Sequence, residues 1–164
     1  MGSIAYSFDQ QLKKGESSER FLDSFFEQRF VVVPVAPELQ RLGIDRVFTR
    51  RVDGQSFTVE YKTDWTNART HKVFVETVSV DTANKPGWAY TSQANKLLYY
   101  LPGEHLVYVL AMKSIRKALP VWSRKFPLRK IPNRGYCTYG LVMDQWVFEQ
   151  YSEAIIDTSS KTGG

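Results

Sequence analysis

The residues best suited to chemistry lie in the stretch SFTVEYKTD, residues 56 to 64. Apolar and polar residues alternate along it, which is the pattern of a half-buried β-strand. The polar face carries Glu60 and Lys62, which are two residues apart and therefore point the same way. A carboxylate beside an ammonium can hold a cation and stabilise negative charge on a reacting group, or it can be a structural ion pair.

A second carboxylate, Asp45, comes at the start of the preceding β-prone run, IDRVFTRR. The turn signal Asp53-Gly54 between the two runs predicts a β-hairpin. The start of one hairpin strand lies beside the end of the other, roughly 5 Å away. We therefore expect Asp45 to lie close to Glu60 and Lys62.

A third carboxylate comes from the segment 16 to 30, where Phe and Leu recur at three- and four-residue steps and predict an amphipathic helix. A helical projection places Glu19 at the edge of the apolar side and Glu16, Asp23 and Glu27 on the solvent side. A charge directed toward a core needs a partner. The sequence thus predicts that three carboxylates and one amine converge at one end of a sheet.

Such a group of carboxylates repels itself unless a cation binds, and oxygen ligands alone suit Mg²⁺ or Mn²⁺. An ion held by Asp45, Glu60 and the backbone carbonyl of Tyr61 would polarise a phosphodiester and acidify a bound water. Lys62 would orient or deprotonate that water, or stabilise the developing charge. Glu19 would hold a ligand water or help to site a second ion.

These residues resemble a known family of enzymes. The helix glutamate, the GID that contains Asp45, the hairpin and the VEYK that contains Glu60, Tyr61 and Lys62 are similar to the PD-(D/E)XK nuclease superfamily. The resemblance spans about residues 15 to 80. It implies a restriction-endonuclease-like fold and metal-dependent hydrolysis of DNA, less often RNA, with Glu19, Asp45, Glu60 and Lys62 as catalytic residues.

The match to this family is incomplete at two positions. Ile44 stands where the motif has a proline before its aspartate, and Glu16 is an alternative to Glu19 as the helix glutamate. The alternative to an enzyme is a structural ion pair, of Glu60 with Lys62 or of Asp45 with an arginine, on a sheet face open to water. In that case the chain would be a non-catalytic nucleic-acid-binding module, or an assembly protein.

The charge of the chain favours a polyanionic partner. Its formal net charge is +5, and the segment 105 to 143 contains Lys and Arg but no Asp or Glu. Positive charge concentrated in this way attracts nucleic acid. The residues expected to contact it are Arg69, Lys72, Gln93, Arg124, Lys125, Arg129 and Lys130.

Length and patterning predict a single α/β domain, a central mixed β-sheet flanked by helices, over residues 1 to 156. With 164 residues, 43% of them apolar, the chain can build one core. The segment 157 to 164 is expected to be a disordered tail. Residues 89 to 100 and 113 to 122 are expected to be helices, and the basic, proline-containing segment 123 to 135 to be irregular.

Other classes of protein are disfavoured. No apolar stretch approaches the roughly 18 residues of a membrane span, and the N-terminus lacks the apolar block of a signal peptide. Cys137 is the only cysteine, which excludes a disulfide framework or a zinc-binding cysteine cluster. We expect a cytoplasmic protein, and because cutting both strands of a duplex takes two sites, a homodimer is plausible.

Overall fold

Ten strands and six helices make up the part of the chain that the computed structural model describes, residues 3 to 160, with side chains from Lys13 onward. The helices are α1 Ser3–Phe26, α2 Pro37–Gln40, α3 Asn67–Thr70, α4 Trp88–Thr91, α5 Met112–Lys125 and α6 Gln145–Tyr151. The strands are β1 Phe30–Pro34, β2 Arg46–Arg50, β3 Ser56–Thr63, β4 Lys72–Val80, β5 Lys85–Pro86, β6 Lys96–Leu101, β7 Leu106–Ala111, β8 Leu128–Pro132, β9 Cys137–Asp144 and β10 Ala154–Asp157.

The strands form two sheets. The main sheet has the order β1-β2-β3-β6-β7-β10 and is mixed, since β3 and β6 run parallel while the other described neighbours are antiparallel. The second sheet, β5-β4-β9-β8, is antiparallel. The predicted α/β domain with a mixed sheet and flanking helices is therefore confirmed, and the second sheet is an addition to it.

The two faces of the main sheet bury different cores. On one face Val59 and Tyr61 pack with Leu22 and Phe26 of α1. The other face contributes to a larger core that is completed by the second sheet, α5 and α6; its members include Leu97, Tyr99, Val75, Ile115, Trp122, Leu141 and Phe148. Removing this much apolar surface from water is the main favourable term in folding.

The segment 89 to 100, expected to be a helix, is helical only to Thr91 and ends as a strand. Helix α4 ends at Thr91, and the central strand β6 begins at Lys96. In β6 the residues Leu97 and Tyr99 face one core and Leu98 and Tyr100 face the other. A strand covered on both faces is apolar throughout and loses the alternation that identifies strands, which explains the error.

Two further expectations are corrected downstream. Helix α5 continues past Pro120 to Lys125 instead of ending near the proline. The segment expected to be irregular supplies the end of α5 and strand β8, because β8 finds its hydrogen-bond partners in β9.

Helix α1 begins before residue 16 and ends at Phe26, so that Phe30 starts β1 instead of ending the helix. Its buried face is centred on Ser18, Leu22 and Phe26, at four-residue steps. Asp23, placed on the solvent side by the helical projection, is bonded to Arg46 of β2. The projection was wrong for Asp23 because it could not foresee a cationic partner from another element.

The C-terminal end is partly held by the fold. Residues 154 to 157 pair with β7, and the Thr158 amide donates a hydrogen bond to the His105 carbonyl. The rest of the predicted tail, residues 161 to 164, lies outside the described residues. No helix in residues 3 to 160 is long and apolar enough to cross a membrane.

The predicted hairpin is present and joins β2 to β3. Arg46 lies opposite Val59 and Phe48 opposite Phe57, and Gly54 in the turn has a φ of +72°, which glycine adopts without strain. This register brings the start of β2 to the middle of β3, where Glu60, Tyr61 and Lys62 follow.

Candidate active site

Asp45 is locked against β3 immediately before β2 begins. Its amide donates to the Val59 carbonyl at 2.8 Å, and its Oδ2 accepts a hydrogen bond of 2.7 Å from the Tyr61 amide. The amide and carbonyl of one strand residue point to the same side. The Tyr61 carbonyl therefore faces the side of β3 on which Asp45 lies.

Glu60 lies on the opposite face of β3 from the α1 core and is only 4% exposed. Its Oε1 is 3.0 Å from Lys62 Nζ. Its Oε2 is buried and makes no hydrogen bond of good geometry among the described residues; the Ser92 hydroxyl lies close enough to lower the Glu60 pKa, but it donates its proton to the Gly43 carbonyl. Burial raises the pKa of Glu60, and the Lys62 charge opposes that rise. A buried, unpaired carboxylate oxygen is costly, so this position favours a cation.

The Lys62 ammonium is the cation already present beside these acids. Burial lowers the pKa of Lys62, but the charges of Glu60, Asp45 and Glu76 outweigh it, so that the pKa is raised overall. Lys62 is therefore protonated at neutral pH. Of the roles expected for it, stabilising negative charge fits this state, and deprotonating a water does not.

Glu19 reaches the site from α1, and Arg46 holds it there. Arg46 Nη2 is 3.3 Å from Glu19 Oε2. Burial and the nearby Asp45 charge raise the pKa of Glu19, which shows that the two carboxylates are neighbours. Glu16, the alternative helix glutamate, is exposed.

Arg46 is a functional neighbour that sequence reasoning missed. It is 8% exposed, and it lies opposite the core residue Val59. An arginine at an inward position of a strand, one residue after Asp45, was the available signal.

The far wall of the site is formed by the segment after α4 and by β4. The Ser92 hydroxyl donates to the Gly43 carbonyl at 2.8 Å. Glu76 Oε1 accepts a hydrogen bond of 3.3 Å from the Trp88 amide, and its charge acts on Lys62. Both Ser92 and Glu76 were missed, because their approach depends on how the second sheet meets the first.

Gln93 is exposed and lies in the loop between α4 and β6, not in a helix. Its amide donates to the Leu42 carbonyl at 2.8 Å, which ties this loop to the segment preceding Asp45.

Three carboxylates, Glu19, Asp45 and Glu60, were expected to converge at one end of the sheet, with Asp45 and Glu60 as the ligands of the ion. Within the described residues, no three acidic, histidine or cysteine side chains are arranged to hold a metal ion, and Glu19 is engaged by Arg46. Asp45 and Glu60 remain, together with the Tyr61 carbonyl. Mg²⁺ commonly takes one or two carboxylates and completes its shell with water and substrate phosphate. The unpaired Glu60 Oε2 and the neighbouring Asp45 fit such an ion.

The residues expected to contact nucleic acid lie in several places. Arg69 is exposed on α3, and Lys72 at the start of β4 is ion-paired with Asp144. Arg124 and Lys125 are exposed in the last turn of α5. Arg129 and Lys130 are exposed on β8, at the edge of the second sheet.

Of the last two, Arg129 shares a face with Glu76. The register places Glu76 opposite Gly140, and Gly140 opposite Arg129, and directly opposed residues point the same way. With strands roughly 4.8 Å apart, Arg129 begins about 10 Å from Glu76 across the sheet. Lys130, the next residue along the strand, points to the other face.

The sequence matches no family model and no curated protein. The chain is similar to a solved structure described as that of a bacterial homing endonuclease, I-Ssp6803I. The two are 18% identical, with a TM-score of 0.45, and the match covers 93% of this chain and 90% of the other.

Proposed function

We propose that the protein is a Mg²⁺- or Mn²⁺-dependent endonuclease of the PD-(D/E)XK type that hydrolyses DNA phosphodiester bonds. The observation that carries the proposal is the buried Glu60 carboxylate, which has one oxygen paired with Lys62 and the other without a partner among the described residues. Asp45 lies across the same segment of β3. A fold with only a structural ion pair has no need for the second carboxylate or for the unpaired oxygen.

In this proposal Asp45, Glu60 and the Tyr61 carbonyl hold the ion. When bound, it supplies Lewis acidity toward the phosphodiester and lowers the pKa of a bound water. The protonated Lys62 stabilises negative charge that develops on the phosphate. The hydrogen bond from the Tyr61 amide fixes Asp45, and the burial of Glu60 strengthens its electrostatic interactions. Glu19 lies at the edge of the site, where it is held by its ion pair with Arg46.

The substrate would approach along the face of the second sheet that carries Arg129. That side chain shares the face with Glu76, next to Lys62, and it belongs to the acid-free segment 105 to 143. The backbone of duplex DNA carries a row of phosphate groups, and the arginine guanidinium forms strong hydrogen bonds with phosphate oxygens. Two copies of the chain would cut both strands, which is the basis for proposing a homodimer.

The test is cleavage of plasmid and duplex oligonucleotides in Mg²⁺, Mn²⁺ or EDTA. Wild-type protein should cleave with either metal and not with EDTA, and Asp45→Ala and Glu60→Ala should each lose cleavage. Asp53→Asn is the control, because it removes a carboxylate from the same hairpin at the turn, where Asp53 contacts Arg50. Cleavage by the Asp45 and Glu60 variants at the wild-type rate would overturn the site.

A second candidate is a nucleic-acid-binding module without catalysis. It is favoured by the two ion pairs already formed in the site, Lys62 with Glu60 and Arg46 with Glu19. It predicts DNA binding that falls with salt, no cleavage in any metal and no effect of EDTA. The cleavage assay separates the two candidates.

A further inference from the structure

Arg46 is the centre of a hydrogen-bond network behind Asp45. Its Nε donates to both oxygens of Asp23, at 2.9 and 3.1 Å. Its Nη1 donates to the Asp45 carbonyl at 2.8 Å, and its Nη2 contacts Glu19 at 3.3 Å. A nearly buried guanidinium with bonds on every nitrogen has one geometry available to it.

Tyr61 completes the network, because it is hydrogen-bonded to both Asp23 and Asp45. The Tyr61 hydroxyl donates to Asp23 Oδ1 at 2.9 Å, and the Tyr61 amide donates to Asp45 Oδ2 at 2.7 Å. The Arg46 guanidinium also lies 5.4 Å from the centroid of the Tyr61 ring. Arg46 thus reaches Asp45 twice, directly at its carbonyl and through Asp23 and Tyr61 at its carboxylate.

The same network engages the Glu19 carboxylate through its ion pair with Arg46, so that Glu19 does not serve as a metal ligand. Arg46 is ion-paired with both Glu19 and Asp23, while Lys62 pairs with Glu60. Of the other acids near the site, Glu76 is opposed by the charges of both Lys62 and Lys85. The network and the site together contain four carboxylates (Glu19, Asp23, Asp45 and Glu60) and two cations, Arg46 and Lys62. Their excess of negative charge equals the positive charge of one divalent ion.

We propose that Arg46 is a positioning residue that fixes Asp45 and occupies Glu19, so that each chain binds a single divalent ion through Asp45 and Glu60. This rests on the proposed metal site and decides between the two roles expected for Glu19. Glu19 is not a direct ligand and does not build a second ion site.

The test is titration of the full chain with Mn²⁺ by calorimetry, with no DNA present. Wild-type protein should bind one ion per chain, and Glu19→Gln should still bind one ion, with only a small loss of affinity, since it removes a nearby charge but no ligand. Arg46→Met should bind Mn²⁺ about tenfold more weakly or worse, as is typical when a residue that orients a ligand is lost. Arg46→Lys should recover part of that loss, since it restores charge but not the forked contacts.

The controls separate this proposal from the one it rests on. Asp53→Asn should bind as wild type, and circular dichroism identifies any variant that fails to fold. If Arg46→Met does not fold, Arg46→Lys tests the positioning of Asp45, and wild-type affinity in the Arg46 variant that folds would overturn that role. Loss of binding in Glu19→Gln, or two ions per wild-type chain, would overturn the role given to Arg46 and leave the proposed function standing. Wild-type binding by Asp45→Asn would overturn the metal site and hence the proposed function.

Discussion

Lys62 has two carboxylates as neighbours on its own hairpin and a third on β4, and these decide its protonation. A lysine in an apolar pocket loses its proton easily and can act as a base. Lys62 is partly removed from water as well, but the charges of Glu60, Asp45 and Glu76 have the larger effect. At the level of the single residue, the site is built to hold a positive charge.

The first prediction tests that charge. Lys62→Met should reduce cleavage by about 10² to 10³-fold, the usual effect of removing a group that stabilises developing charge. Lys62→Arg should keep measurable cleavage, because arginine stays charged and cannot act as a base at neutral pH. Single-turnover rates on a duplex oligonucleotide in saturating Mg²⁺ measure both, and equal, complete loss in the two variants would contradict the assignment.

The same reasoning extends to ion binding and stability. A ligand that binds only the folded state raises the free energy of unfolding, by about 2.7 kcal/mol at a hundred times its Kd. Mn²⁺ should therefore raise the Tm of the wild type and of Asp53→Asn, but not that of Glu60→Gln. Differential scanning fluorimetry with and without EDTA measures the shift. An equal shift in Glu60→Gln would mean that the ion binds elsewhere.

Elements differ in how far the sequence could predict them. The hairpin was predictable, because the Asp53-Gly54 turn and the alternation in β3 are local and set the register of Asp45 beside Glu60. Strand β6 was not predictable, because its two faces pack into different hydrophobic cores and the strand therefore shows no alternation of apolar and polar residues. The second sheet was also beyond prediction, since β4 pairs with β9, more than 60 residues later in the chain. The site contacts of Glu76 and Ser92 depend on how such distant segments meet, and those of Asp23 and Arg46 depend on how α1 packs against β2.

Alternation along β8 leads to a prediction for DNA binding. Arg129→Ala should weaken binding to a duplex and reduce the salt dependence by about one phosphate contact. Lys130→Ala is the matched control, being the adjacent residue with the same charge but pointing to the other face. Fluorescence anisotropy in EDTA at several salt concentrations measures both. An equal or larger loss for Lys130→Ala would place the DNA on the opposite face.

The loop before β2 gives a further prediction. Gly43 has a φ of +76°, and a Cβ there would lie 2.8 Å from Ser92 Cα, whereas Gly54 has a φ of +72° in open space. Gly54→Ala should cost about 1 kcal/mol for the left-handed backbone alone. Gly43→Ala should cost more and also lower cleavage, because it pushes apart two walls of the site. Urea unfolding and the cleavage assay give both values, and equal costs would refute the close approach.

At the scale of the whole molecule, one sheet joins two cores. Leu97 and Leu98 are adjacent in β6, nearly inaccessible, and directed into opposite cores. Strands common to both cores couple them, so the described domain is expected to unfold as a unit.

The corresponding prediction is that Leu97→Ala and Leu98→Ala each lower the free energy of unfolding by about 2 to 5 kcal/mol, the usual cost of such a cavity. Each variant should still unfold in a single transition, with tryptophan fluorescence and circular dichroism coinciding. Separate transitions would mean that the cores are independent.

The parallel pairing of β3 with β6 has a consequence for how the chain is made. The crossover between these two strands carries β4, and β4 completes its ladder only with β9, residues 137 to 144. Until residues 137 to 144 have been synthesised, the hairpin with Asp45 and Glu60 is present, but β4, which carries Glu76, lacks the strand β9 that it pairs with. The proposed site would therefore be completed during synthesis later than the hairpin that carries Asp45 and Glu60.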